Sequence, residues 1–520
     1  MASDTNQLSV YRLLKEAEAK FGQNEAVYDL THRVSYSQLL QDADLIAASL
    51  LEMGLKKGDR IGAALPNWYE TAALFFAVAK IGAILVPFNP VYQFHEIKYI
   101  LENSKPKALF ITKRFNRQIL SELDSPISFV ISVRFKAEGL INYNELLMGS
   151  SVIEETPVDV NNDVYCILYT SGTTGVPKGV MITHRSVVQS GNTIAGELYC
   201  TNEDVFIIAA PLFHIFGMAC NLFSVVSVGA RMVLKDKFHP REMLELIEQE
   251  KVTIHQGVPT MFLKELAVED FEQFDVSSLR AGMVGASPIP ANKVKEIRDR
   301  LGMNLCQSYG ITETGSVTMT PYNDSEEKIT TTLGKAIPGV KLKIVDEGRN
   351  ELPPGEIGEI AIHSFGNMKG YYQMPKETSG VLDDEGWFYT GDLGKLDEEG
   401  YLYFIGRAKE MIIRGGFNIY PQEIEALLSK HPAVDTPAVI GLPDEVLGEI
   451  VCAVIQLKSG ADCTEDELKE YLKERLATYK IPEKFVFTKD FPVTASGKIQ
   501  KMKLREQLAA KEGASLNGRL

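Results

Sequence analysis

The sequence predicts an α/β protein: a large N-terminal domain of α/β subdomains plus a small β-barrel-like subdomain, followed by a small mobile α+β C-terminal domain. Three observations predict it. At 520 residues the chain exceeds what one hydrophobic core usually supports. Short apolar strands alternate with helical patterns through most of its length, the mark of parallel α/β construction. After Tyr401–Ile405 the pattern restarts, and the remaining tail is long enough to fold alone. The expected division is residues 1–406 for the large domain, a boundary at 407–409, and 410–520 for the small one.

Taken in order, residues 8–30 read as a helix and then a short strand. Tyr36 to Met53 carries Leu39, Leu40, Leu45, Ala48 and Leu51 at helical spacing and stops at Gly54. Asn67 to Ile84 is more continuously apolar, as expected of a buried helix leading into a strand over Ala83–Pro87. A helix over His95–Asn103 and strands over Ala108–Thr112 and Phe129–Val133 follow. Arg231–Leu234 reads as a strand, Pro240 as the first residue of a helix to about Glu250, and Val252–His255 as the next strand. From Lys341 to Ile362, turns at Glu347-Gly348 and Pro353-Pro354-Gly355 separate short strands, suggesting the small β subdomain. In the tail, Gln422–Ser429 is helical, Ala438–Ile440 and Val451–Gln456 are strands, and Thr464-Glu465-Asp466-Glu467 is a capping box opening a helix.

Composition narrows the class. Hydrophobic residues make up 45% of the chain and charged ones 24%, as in an ordinary globular protein. A formal charge of −15 argues against a nucleic-acid surface, so sites for anionic ligands must be local basic patches. Six scattered cysteines form no C-x-x-C pair and no cluster at metal spacing, which suggests free thiols in a reducing compartment. A cytoplasmic location follows, with a peroxisomal one as the alternative because Gly518-Arg519-Leu520 loosely resembles a targeting tripeptide. Val205 to Ala230 has no Asp, Glu, Lys or Arg, yet Pro211, His214, Asn221 and several glycines and serines interrupt it. Buried core, not a membrane span, is expected there.

The most informative stretch is Tyr169-Thr170-Ser171-Gly172-Thr173-Thr174-Gly175-Val176-Pro177-Lys178-Gly179. Its glycines permit backbone conformations in which successive N–H groups converge on an anion. Its hydroxyls add donors, and Lys178 adds a point charge suited to phosphate. The spacing is not that of G-x-x-x-x-G-K-[ST]. This loop resembles the signature of the acyl-adenylate-forming superfamily: acyl-CoA synthetases, beetle luciferases and peptide-synthetase adenylation domains. Further segments match in order along residues 30 to 500.

Tyr309-Gly310-Ile311-Thr312-Glu313-Thr314 resembles the second core motif. By that resemblance Tyr309 stacks on adenine, Thr312 bonds the α-phosphate, and Glu313 holds Mg²⁺. Gly285-Ala286-Ser287-Pro288 resembles the adenine-side turn, where small residues let nucleotide and acyl chain pass. Tyr389-Thr390-Gly391-Asp392-Leu393 and Gly406-Arg407 resemble the ribose-binding pair, with a ligand-free Asp392–Arg407 salt bridge as the bland alternative. Lys409 matches the hinge position, so the resemblance makes the 407–409 boundary a hinge. Lys498, in Thr494-Ala495-Ser496-Gly497-Lys498-Ile499, resembles the lysine that the C-terminal domain inserts for adenylation. Gly415-Gly416 resembles the loop that replaces it in the thioester step, against the alternative of a plain surface turn. His214, in Pro211-Leu212-Phe213-His214-Ile215-Phe216-Gly217-Met218, matches a position beside the carboxylate.

The resemblance implies an ATP-dependent carboxylate–CoA ligase using ATP, Mg²⁺ and coenzyme A, with a small-molecule carboxylate as the remaining partner. Phe213, Ile215 and Phe216 offer no counter-charge for an amino acid's ammonium group. Trp68 and Trp387 lie outside the pocket motifs, leaving room for a deeper pocket. A medium- or long-chain fatty acid is therefore expected. The alternatives are an aryl acid of the coumarate or benzoate kind and, in a different class, a catalytically silent nucleotide sensor or scaffold.

Overall fold

A computed structural model describes residues 8–149, 153–170, 177–444, 446–493 and 499–517, the last eight of these by their backbone alone. Two large sheets dominate. The first has nine strands. Six of them run parallel: Asn304–Ile311, Ala281–Val284, Ile254–Gly257, Val205–Ile208, Arg231–Leu234 and Glu25–Tyr28, in that spatial order. Antiparallel strands complete both edges: Gly315–Met319 and Lys335–Ala336 at one, Arg33–Ser35 at the other.

The second sheet has eight strands. Val164–Thr170, Ile84–Pro87, Arg60–Ala64, Ala108–Ile111, Phe129–Ser132 and Ile141–Asn142 are parallel neighbours. Lys178–Thr183 and Gly370–Tyr371 add to it antiparallel. Strict parallelism, which alternation alone suggests, therefore fails at the sheet edges, where a hairpin or a returning segment supplies the last strands.

One core joins the two sheets. Leu85 and Cys166 of the second pack in the same cluster as Phe206, Met232 and Ile254 of the first, with helix residues Phe75, Phe76 and Phe223 between them. The helix Tyr69–Lys80 is buried at every position, as its continuous apolar run requires. Lys80 is tolerated there because its Nζ lies 2.7 Å from Asp44. The charge-free stretch is core as expected: strand Val205–Ile208, a π-helical segment Phe216–Phe223 and helix Ser224–Val228. Among the described residues no helix is long and apolar enough to cross a membrane.

The small β subdomain is a four-stranded antiparallel sheet in the order Val340–Val345, Gly358–Ser364, Phe388–Leu396, Leu402–Arg407. A further sheet is built only from residues beyond 411: Ile412–Arg414, Phe417–Ile419, Val434–Asp444, Gly448–Leu457 and Lys484–Phe487. Its two apolar clusters contain no residue before Ile412. The helix Glu465–Lys473 starts at the predicted capping box, with Thr464 accepting from the Glu467 N–H. The strand expected at Val252–His255 begins later, at Ile254, because the Val252 N–H closes the turn after the preceding helix by donating to the Ile247 carbonyl.

Candidate active site

Parallel strands bring their carboxyl ends to one edge, and that crevice is where open α/β sheets bind ligands. The first sheet places three predicted segments there, with Gly257 beside them. The segment containing His214 follows Val205–Ile208, Gly257 ends its strand, Gly285–Ser287 follows Ala281–Val284, and Gly310–Glu313 ends Asn304–Ile311. Thr170 closes its strand on the second sheet, paired with Lys178 across the hairpin. Ser171, Gly172, Thr173, Thr174 and Gly175 lie outside the described residues, as does Lys498.

The end of the crevice expected to take phosphate is built around Glu313. Tyr371 donates its hydroxyl to Glu313 Oε1 at 3.0 Å, and Lys178 Nζ sits 4.6 Å above the Tyr371 ring. Burial raises the Glu313 carboxyl above its ordinary value, while the Tyr371 bond and the charges of Arg407 and Lys178 pull the other way. The half-buried Glu313 carboxylate offers hard oxygen ligands at the end of the crevice. Mg²⁺ fits this donor, since it is commonly held by one or two carboxylates with substrate phosphates completing its shell. Thr312 is buried beside it. Gly310 could carry no side chain, because a Cβ there would collide with the Gly315 carbonyl.

The end expected to take the nucleoside is a linked set. Tyr309 donates to Asp392 Oδ2 at 2.8 Å, and Arg407 Nε lies 3.3 Å from Asp392 Oδ1. Antiparallel pairing of Asp392 with Arg407 fixes that ion pair. The salt bridge named as the bland alternative is thus present, and a ribose would have to share or displace these partners. Desolvation, then the Asp392 charge, raises the Tyr309 phenol well above its ordinary value, so it remains a donor. Ala286 adopts a left-handed backbone at φ 64° on the turn after its strand, a conformation that a non-glycine residue rarely holds.

His214 opens the apolar side. Its Nδ1 accepts from the Phe216 N–H at 3.2 Å, which orients the ring at the start of the π-helical segment. Such segments recur at functional sites. Lys409 lies in the short 3₁₀ turn Ala408–Glu410. Gly415 and Gly416 form the two-residue turn of the hairpin Ile412–Ile419, with φ of 55° and 84°, so the turn alone demands glycine-compatible conformations. His184 and His255 are structural: the first accepts from the Val10 N–H and is held at about 4 by burial, and the second pairs with Glu265.

Sequence reasoning missed Tyr371. It lies on a two-residue edge strand bonded to Val180 and Met181, and no local pattern marks it.

The crevice, with its carboxylate, paired aromatic and basic groups, defines a nucleotide-handling α/β enzyme. The chain belongs to the AMP-binding enzyme family: it matches that family over residues 14–372 and the AMP-binding enzyme C-terminal domain over 423–498. It is 39% identical to YngI of Bacillus subtilis, covering 96% of this chain and 97% of that protein. It is 33% identical to human mitochondrial medium-chain acyl-CoA ligase ACSF2, covering 97% of this chain and 88% of the relative. Its structure matches ATP-bound MatB from Rhodopseudomonas palustris with a TM-score of 0.88 at 30% identity, covering 96% of this chain and 99% of that one. The protein is an ATP-using, AMP-forming acid–thiol ligase of the acyl-CoA synthetase kind, with CoA as co-substrate.

Proposed function

We propose that this ligase activates a medium- or long-chain fatty acid in two half-reactions. In the first, a carboxylate oxygen bonds the α-phosphorus of ATP and pyrophosphate leaves. In the second, the CoA thiolate bonds the acyl carbon and AMP leaves. The observation that carries the substrate reading is the buried, apolar segment Ile215–Phe223 beside Gly285 and Tyr309, which suits an alkyl chain. The medium-chain activity named for the ACSF2 relative supports the shorter end of that range.

Roles follow from chemistry. Lys178 and the hydroxyl- and glycine-rich loop before it draw the triphosphate to the crevice. Mg²⁺, held by Glu313, would neutralise charge on the phosphate oxygens. Tyr309, Asp392 and Arg407 seat the nucleoside, and His214 lies beside the reacting carboxylate. Lys498 supplies a positive charge to the adenylation transition state. A rotation about a hinge at Arg407–Lys409 would carry it away and bring Gly415-Gly416 toward the thiol. Six free cysteines support a reducing, cytoplasmic setting.

The test is AMP release from ATP and Mg²⁺, with and without CoA, across fatty, aryl and amino acids. CoA-dependent release with fatty acids is expected. Release with aryl acids alone would move the substrate to that class, and ATP binding without turnover of any acid would favour a sensor.

A further inference from the structure

We propose that Gln256 reads an uncharged polar substituent, a hydroxyl or keto group, on the acyl chain of the substrate. The proposal rests on the fatty-acid reading above and sharpens it. Gln256 lies on the strand Ile254–Gly257 and is 1% exposed. Neither its Nε2 nor its Oε1 has a hydrogen-bond partner, and among the described residues it is the one buried side chain with both polar atoms unpaired.

Its direction follows from the ladder. Gln256 is the register partner of Met283 on the neighbouring parallel strand, so both side chains leave the same face of the sheet. Met283 packs in the cluster that holds Phe216, Cys220 and Tyr309, the apolar side of the crevice. Gly285, two residues along from Met283, is on that face as well. A Cβ at Gly285 would stand 3.7 Å from the Phe216 ring, and its N–H donates to the Gly257 carbonyl at 3.3 Å. His255 points to the opposite face and is held by Glu265, so the nearest polar side chain in sequence cannot satisfy the amide.

A primary amide offers a donor and an acceptor and no charge. Left dry among Met283 and Phe216 it is costly, and a plain alkyl chain would leave it so. A hydroxyl can donate to Oε1 or accept from Nε2, and a keto oxygen can accept from Nε2. A second carboxylate would require a cation that this side chain does not provide. A site built to bond a polar substituent rejects the analogue lacking it far more strongly than an apolar pocket rejects a missing methylene.

The experiment compares kcat/KM for acyl-CoA formation with straight-chain acids of medium length and their hydroxy and oxo counterparts, in the full-length protein and in Gln256→Leu and Gln256→Met. The wild type should favour one substituted acid over its plain counterpart by roughly 10–100-fold, and both variants should lose or reverse that preference while keeping turnover of plain acids. Equal turnover of plain and substituted acids by the wild type would overturn the proposal, leaving the fatty-acid reading intact. So would a uniform loss with every acid in both variants, which would make the amide structural. Activity with no fatty acid of either kind would instead sink the reading on which it rests.

Discussion

The two sides of the crevice treat their polar groups differently. On the side proposed for the nucleotide, Tyr309 and Arg407 both bond Asp392, and Tyr371 bonds Glu313 beneath Lys178. On the side proposed for the acyl chain, Gln256 is unpaired at both atoms on the sheet face it shares with Met283. A site for a ligand that never changes can be held ready by its own bonds, which lowers the cost of ordering it on binding. A site for a variable substrate keeps bonds for the substrate itself to make.

The sharpest way to break this comparison is to remove the charge proposed to serve the reaction and not the binding. Lys498→Ala should lower acyl-AMP formation by about 1,000-fold or more while sparing thioester formation from supplied acyl-AMP. Single-turnover assays of the two half-reactions would show it. Equal loss of both would contradict the assignment of Lys498 to adenylation alone.

Glu313→Gln comes next and tests whether desolvation of this carboxylate costs the fold stability at high pH. Burial raises the Glu313 carboxyl, so folding holds its proton more tightly than the unfolded chain does. Its contribution to stability is therefore full below the ordinary carboxylate range and is lost as pH rises through the raised value. The variant, with no proton to lose, should melt higher than the wild type at pH 8, and the gap should close toward pH 4. Adenylation should fall by roughly 100-fold. A Tm versus pH series on both proteins checks the sign. A variant less stable at high pH would show that the charge is satisfied without a metal.

These residues also show what the sequence could reveal. Motifs such as Tyr309–Glu313 and the loop before Lys178 were legible because a strand end, small residues and a charge fall within a few positions. The carboxyl ends of the parallel strands bring Tyr309–Glu313, Gly285 and the segment containing His214 to one edge, while the loop before Lys178 lies outside the described residues. Tyr371 and Gln256 were not legible. Tyr371 reaches Glu313 only because a two-residue strand returns to pair with Val180 and Met181. Gln256 looks like any polar residue before a glycine, and only the register with Met283 and the absence of a partner distinguish it. The antiparallel edge strands escaped for the same reason: pairing partners far apart in sequence leave no periodic trace.

The smallest expected effect concerns Gly415-Gly416, where a turn requirement and a close approach to the CoA thiol arm predict different outcomes. Gly415 holds φ 55°, a left-handed conformation that Asn adopts readily and Ala does not. A Cβ there would meet only Leu447 Cδ2 at 3.5 Å, an ordinary contact, so no clash confuses the comparison. Gly415→Ala should cost about 1 kcal/mol, read as a shift in denaturant midpoint, and Gly415→Asn only a few tenths. If the turn is the whole reason for glycine, Gly415→Asn should also retain full thioester formation. If the thiol arm passes closely, Gly415→Asn should keep its stability and adenylation yet raise the KM for CoA several-fold. The larger side chain would then obstruct only the half-reaction in which this turn faces the substrate.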